Sequence, residues 1–183
     1  MKKQNMRILA SAVIAASVLA SMSIPSYAYF STRKANSQNA RYSTRSSYSL
    51  TTPDVVQQKK SGFCFAACLQ SLDNMWGGTY TQDDSGINQS TGYVRVNNSN
   101  VRWNSGEASY EGIKSAIDNG SYCLVYMTGK YSHWVVAYAA TGASASEISV
   151  MDPYNGELIT LARAMQIESA DTISQNRVAY KAN

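Results

Sequence analysis

The chain changes its hydrophobic period once, and that change limits its fold more than any other feature. From Cys64 to Trp76 (CFAACLQSLDNMW) the apolar residues Phe65, Cys68, Leu69, Leu72, Met75 and Trp76 recur at three- and four-residue steps. Such spacing lines one face of an α-helix, and Gly77-Gly78 is a stop signal behind it. Ser109 is an N-cap for a second, shorter helix over Tyr110 to Asp118, ended by Asn119-Gly120. The stretch 79–106 between them carries the breaks Asn97-Asn98, Ser99-Asn100 and Ser105-Gly106 and is expected to be loop-rich. Beyond residue 120 the apolar runs shorten. Ser121 to Met127, His133 to Ala140, Glu147 to Met151 and Glu157 to Leu161 read as strands separated by Gly, Ser, Asn and Pro turns. A brief helix is expected over Ala162 to Ile167, and Asn176 to Tyr180 is expected to close the sheet. Helices first and an antiparallel sheet after is an α+β arrangement.

Composition matters most at the N-terminus. Lys2, Lys3 and Arg7 precede an apolar, Ala-rich run from Ile8 to about Leu19, and Ser26-Tyr27-Ala28 puts small residues three and one before a cut. That pattern predicts a secretory signal peptide over residues 1–28. An uncleaved anchor is the alternative, against which stand the short apolar run and Pro25. Residues 29–50 are rich in Ser, Arg, Asn and Tyr, poor in aliphatic side chains, and are expected to form a disordered spacer or a short pro-segment. Residues 51–183 are then one domain, large enough to bury a core without staples. From residue 51 the chain has nine Lys or Arg against twelve Asp or Glu, a net of −3, so nucleic acid is not an expected partner. After signal removal no stable membrane association is expected, and the domain is expected to act as a monomer.

The three cysteines are Cys64, Cys68 and Cys123, so an exported protein keeps at least one free thiol. Cys64 and Cys68 stand one helical turn apart, a poor geometry for a bridge. Cys68 with Cys123 is open, as is the reading of both as core residues. One histidine and three cysteines do not make a zinc site, and no cofactor is expected.

The single histidine, His133, opens a strand-like run. Cys64 opens a helix, where unpaired N–H groups and the dipole favour an anion. A thiol nucleophile needs a base, usually an imidazole, and this chain offers one. Asp152 ends the strand-like run that follows His133. If the two strands are antiparallel neighbours, Asp152 lies near the imidazole and holds its tautomer, with Asn155 as a possible substitute. Gln58 stands six positions before Cys64, and its amide with the Cys64 backbone N–H makes a candidate oxyanion hole. Gln57 is chemically equal, so only spacing selects Gln58. Ser61-Gly62 gives a flexible turn into the helix.

The run GFCFAACLQSL over 62–72 resembles the active-site helix of papain-like cysteine peptidases. The resemblance is to bacterial double-glycine leader peptidases and their relatives, and to papain-like proteases that some bacteria secrete as effectors. Gln58, Cys64, Ala67, His133, Asp152, Pro153 and Gly156 match position by position, and Cys68 falls where leader peptidases often carry a second Cys. Phe65 departs from the pattern: leader peptidases have Gly there and the effector branch Trp. The similarity covers residues 53 to about 165. It implies a papain-like fold, with an N-terminal active-site helix packed on an antiparallel sheet. It also implies an exported cysteine endopeptidase acting on peptide or protein substrates through Cys64, His133, Asp152 and Gln58. A cell-wall amidase, an acyltransferase and a non-catalytic peptidase-like binding module stay open beside it.

Overall fold

Leu124, Val136 and Met151 lie side by side on three neighbouring strands and form one apolar row. In the computed structural model, which describes residues 48–88 and 93–183, that row is the floor beneath the first helix. The elements run in chain order as β1 (Tyr48–Ser49), α1 (Cys64–Met75), β2 (Val101–Gly106), α2 (Tyr110–Asp118), β3 (Tyr122–Gly129), β4 (His133–Ala140), β5 (Ile148–Asp152), β6 (Glu157–Thr160), α3 (Leu161–Glu168) and β7 (Ala170–Lys181). Six strands make an open antiparallel sheet in the order β2-β7-β3-β4-β5-β6. The two-residue β1 pairs with β4 through Tyr48↔Ala140 and Ser49↔Ala139, beyond the point where β3 leaves it. The class is therefore α+β with an N-terminal helix on an antiparallel sheet.

Period-2 alternation divides the core. Leu124, Val136 and Met151 face Phe65, Cys68, Leu69 and Leu72 of α1. Val125, Val135, Ala137 and Val150 point the other way, against Ile113 and Ile117 of α2 and Leu161 and Ala164 of α3. Helix α2 is capped as expected, with Ser109 Oγ accepting from Gly112 N at 2.9 Å. Helix α1 begins differently. Its N-cap is Phe63, which supplies no side-chain bond, so the first N–H groups have no internal cap.

The far end of α1 is held by Asp73. This buried carboxylate accepts from Tyr80 N (2.8 Å), Asn100 N (2.5 Å) and Ser99 Oγ (3.2 Å). It thereby gathers much of the stretch expected to be loop-rich, and delivers the chain into β2. That strand corrects the sequence reading of 79–106. Val101 to Gly106 pairs with β7 over six positions, Val101↔Lys181 to Gly106↔Asn176. Its partner lies about seventy to eighty residues away, so tertiary pairing overrides the local Asn-Ser-Gly break. The last strand is also longer than Asn176 to Tyr180. It starts at Ala170, directly behind α3, and lies inside the sheet between β2 and β3 rather than closing it.

The ordered fold begins before residue 51, because Tyr48-Ser49 is paired and Leu50 N donates to Tyr138 O at 3.0 Å. The expected spacer is corrected at that end. The expected signal peptide and the rest of the spacer, up to residue 47, lie outside the described residues. No helix among the described residues is long and apolar enough to cross a membrane.

Candidate active site

Cys64 is the first residue of α1, entered through Gly62, whose φ of +82° suits glycine alone. The thiol lies on the wall of a cavity of about 380 Å³, together with Gln58, Ser61 and Gly62. Tyr131, Ser132 and His133 form the next wall, where β3 turns into β4. Tyr154, Ile167 and Glu168 complete it.

His133 and Asp152 meet because β4 and β5 are antiparallel and adjacent, which sets the start of one beside the end of the other. Asp152 Oδ1 lies 2.7 Å from His133 Nε2, and both side chains are almost wholly buried. The same oxygen accepts from Tyr154 N at 2.8 Å, which fixes the carboxylate in its turn. Asn155, the possible substitute, is exposed. With Nε2 engaged, Nδ1 is the ring atom left for the Cys64 thiol, which is within hydrogen-bonding reach of the imidazole. Burial is the largest single influence on His133 and works against its charged form. The hydrogen bonds to Asp152 and Cys64, and the charges of both, override it and carry the pKa from 6.5 to about 9. The imidazole is therefore protonated at neutral pH.

Gln58 reaches the cavity by way of three backbone bonds around it. Gln58 N donates to Pro153 O at 2.7 Å. The buried Gln82 side chain then clamps both sides: Lys59 N donates to its Oε1 (2.8 Å), and its Nε2 donates to Gln57 O (2.9 Å). Gln57 turns away and is exposed, with Nε2 donating to Tyr154 O at 3.4 Å, so Gln58 is the glutamine on the cavity. Among the described residues nothing bonds the Gln58 side-chain amide, whose Oε1 is buried without a partner.

The other two cysteines are core residues on opposite faces of the sheet. Cys68 lies on the face of α1 that meets the sheet, with its Sγ on Trp134 O (3.4 Å), and Cys123, on β3, packs under α2 with its Sγ on Ile113 O (3.9 Å). The sheet separates them, and all three thiols are free. Burial raises the pKa of Cys68 far above the ordinary thiol value and that of Cys123 to about 12. No cluster of three or more His, Cys, Asp or Glu with metal-holding geometry occurs among the described residues.

Tyr131, Tyr154, Glu168 and the clamp residue Gln82 carried no signal in the sequence. Each sits in a turn or at a helix end, and only the fold brings the first three to the cavity and Gln82 to the backbone beside Gln58. No family model matches the chain, and no curated protein matches its sequence.

Proposed function

We propose that this protein is an exported cysteine endopeptidase of papain-like type. The observation that carries the reading is the linear relay Cys64–His133–Asp152 at one cavity. The thiol stands at an uncapped helix N-terminus, beside a protonated imidazole bonded to a buried carboxylate. In the reaction the Cys64 thiolate attacks the scissile carbonyl, and its π electrons move onto the oxygen. His133 then gives its proton to the departing amine, leaving a thioester. Water attacks the thioester, His133 takes its proton, and the C–S bond breaks to release the carboxylic acid and restore the Cys64 thiolate beside the imidazolium.

The oxyanion needs donors that are not already used. The Gln58 side-chain NH2, which makes no hydrogen bond among the described residues, and the Cys64 backbone N–H at the open end of α1 are the candidate donors. Asp152 orients the ring and stabilises the imidazolium. The export part of the proposal rests on the N-terminal sequence pattern alone.

Hydrolysis of casein and of a fluorogenic peptide library tests the proposal. The wild type is expected to release peptides, whereas Cys64→Ala and His133→Ala release none above background. Gln58→Ala is expected to lose about two to three orders of magnitude in kcat, as for other lost oxyanion donors. Undiminished hydrolysis by Cys64→Ala would refute the mechanism.

A further inference from the structure

Glu168 ends α3 on the wall of the Cys64 cavity, beside Ile167. It is only 8 % exposed, and its Oε1 has no hydrogen-bond partner among the described residues. A buried carboxylate oxygen without a donor is unfavourable, and a cation is its natural complement. Among the described residues no basic side chain pairs with it. Lys60 lies over the Phe63 ring, Lys130 over the Tyr131 ring, Lys59 pairs with Asp83, and Arg163 bonds Gln166. Nor does Glu168 duplicate Asp152, since the charges that raise His133 are those of Cys64 and Asp152.

The backbone behind Glu168 is also held in place. Ser169 behind it adopts a left-handed conformation (φ 50°), and its carbonyl accepts from Lys130 N at 3.0 Å. Gly129 runs so close that a Cβ there would come within 2.4 Å of Ser169 O. The end of α3 and the turn carrying Tyr131 and Ser132 are thus joined as one wall. The C-terminal end of the α3 dipole favours a cation in the same sense, and Ile167 offers an apolar surface for an aliphatic stem.

We propose that Glu168 selects substrates by receiving an ammonium or guanidinium group, either a Lys or Arg side chain near the cleaved bond or a free α-amine. This rests on reading the cavity as the substrate cleft.

The test uses matched fluorogenic peptides with Lys or norleucine at each position around the cleaved bond, every peptide made with a free and an acetylated N-terminus. The wild type should favour the cationic member by at least about tenfold in kcat/KM, the size of one charge-assisted hydrogen bond. In Glu168→Gln the ratio should fall toward one, and Glu168→Asp should restore part of it. A preference that survives acetylation assigns the site to side chains, and one lost on acetylation assigns it to the α-amine. Equilibrium binding of the same peptides to Cys64→Ser separates this inference from the peptidase reading. Charge-dependent binding that Glu168→Gln abolishes, without any cleavage by the wild type, refutes the peptidase and keeps the cation site. Cleavage without charge preference, or a preference undiminished in Glu168→Gln, overturns the Glu168 assignment alone. Peptides neither cleaved nor bound according to charge overturn both.

Discussion

Asp152 Oδ1 holds His133 Nε2 at 2.7 Å inside the protein, so the ring has only Nδ1 to offer to Cys64. That contact sets the ring's orientation and, together with Cys64, raises its pKa. It follows from strand register: β4 starts at His133, β5 ends at Asp152, and antiparallel pairing brings those ends together.

The same contact makes stability depend on pH with a definite sign. The folded pKa of His133 is raised from 6.5 to about 9, so its contribution is complete below the lower value and is lost as pH rises through the upper one. A shift of that size corresponds to about 3 kcal/mol. Urea unfolding at pH 6 and pH 9.5 should show the wild type losing about that much relative to His133→Gln. Equal losses in the two proteins would contradict the assignment. Replacing Asp152 by Asn removes a raising influence and leaves burial in force, so the alkaline limb of any activity should move to lower pH.

The thiols should differ sharply in reactivity. Cys64 lies on the cavity, whereas Cys68 and Cys123 are fully buried with raised pKa values. Iodoacetamide at neutral pH, followed by peptide mass mapping, should label Cys64 at least about a hundredfold faster than the others, since these react only through opening of the fold. Mild reductant should raise activity where an external thiol has capped Cys64. A Cys68–Cys123 bridge is excluded by the sheet between them, so reductant should not act by opening one.

Cys64, His133, Asp152 and Gln58 were legible in the sequence because each marks a local event: a helix start, a strand start, a strand end, and a fixed spacing before the cysteine. The helices and strands with unbroken apolar periods were legible for the same reason. Strand β2 was not, because Val101 to Gly106 becomes a strand only through β7. Gln82 and Glu168 were silent because a lone Gln in a polar stretch, or a Glu ending a helix, is ordinary until the chain buries it. Choosing Gln58 over Gln57 needed the clamp as well as the spacing, since the two side chains are chemically identical.

That clamp predicts a positioning role for Gln82. Its side chain bonds Lys59 N and Gln57 O, the backbone groups on either side of Gln58. Gln82→Leu keeps much of the volume and leaves both groups unpaired, at a cost of about 1–3 kcal/mol in stability. If the clamp serves Gln58, kcat should fall about tenfold with KM little changed, and the loss should vanish in a Gln58→Ala background. A loss that adds fully to that of Gln58→Ala would leave Gln82 with a role in folding only.

The opposite end of α1 gives a prediction of the contrary kind, large in stability and small at the site. A Cβ on Gly78 would come within 2.0 Å of Asp73 Oδ2, the carboxylate that fixes Tyr80, Ser99 and Asn100. Relief requires moving either the turn or the buried acid. Gly78→Ala should therefore cost about 1–3 kcal/mol or somewhat more, the range for overpacked interiors. Asp73→Ala should cost more, since it strips a charged acceptor from two backbone N–H groups and a hydroxyl. Both changes act at the C-terminal end of a twelve-residue helix, about 18 Å long, while Cys64 lies at its first residue. Chemical denaturation should accordingly register both losses, while alkylation of Cys64 under native conditions keeps its wild-type rate. A slowed thiol in either variant would mean that the Asp73 cluster also sets the geometry at the start of α1.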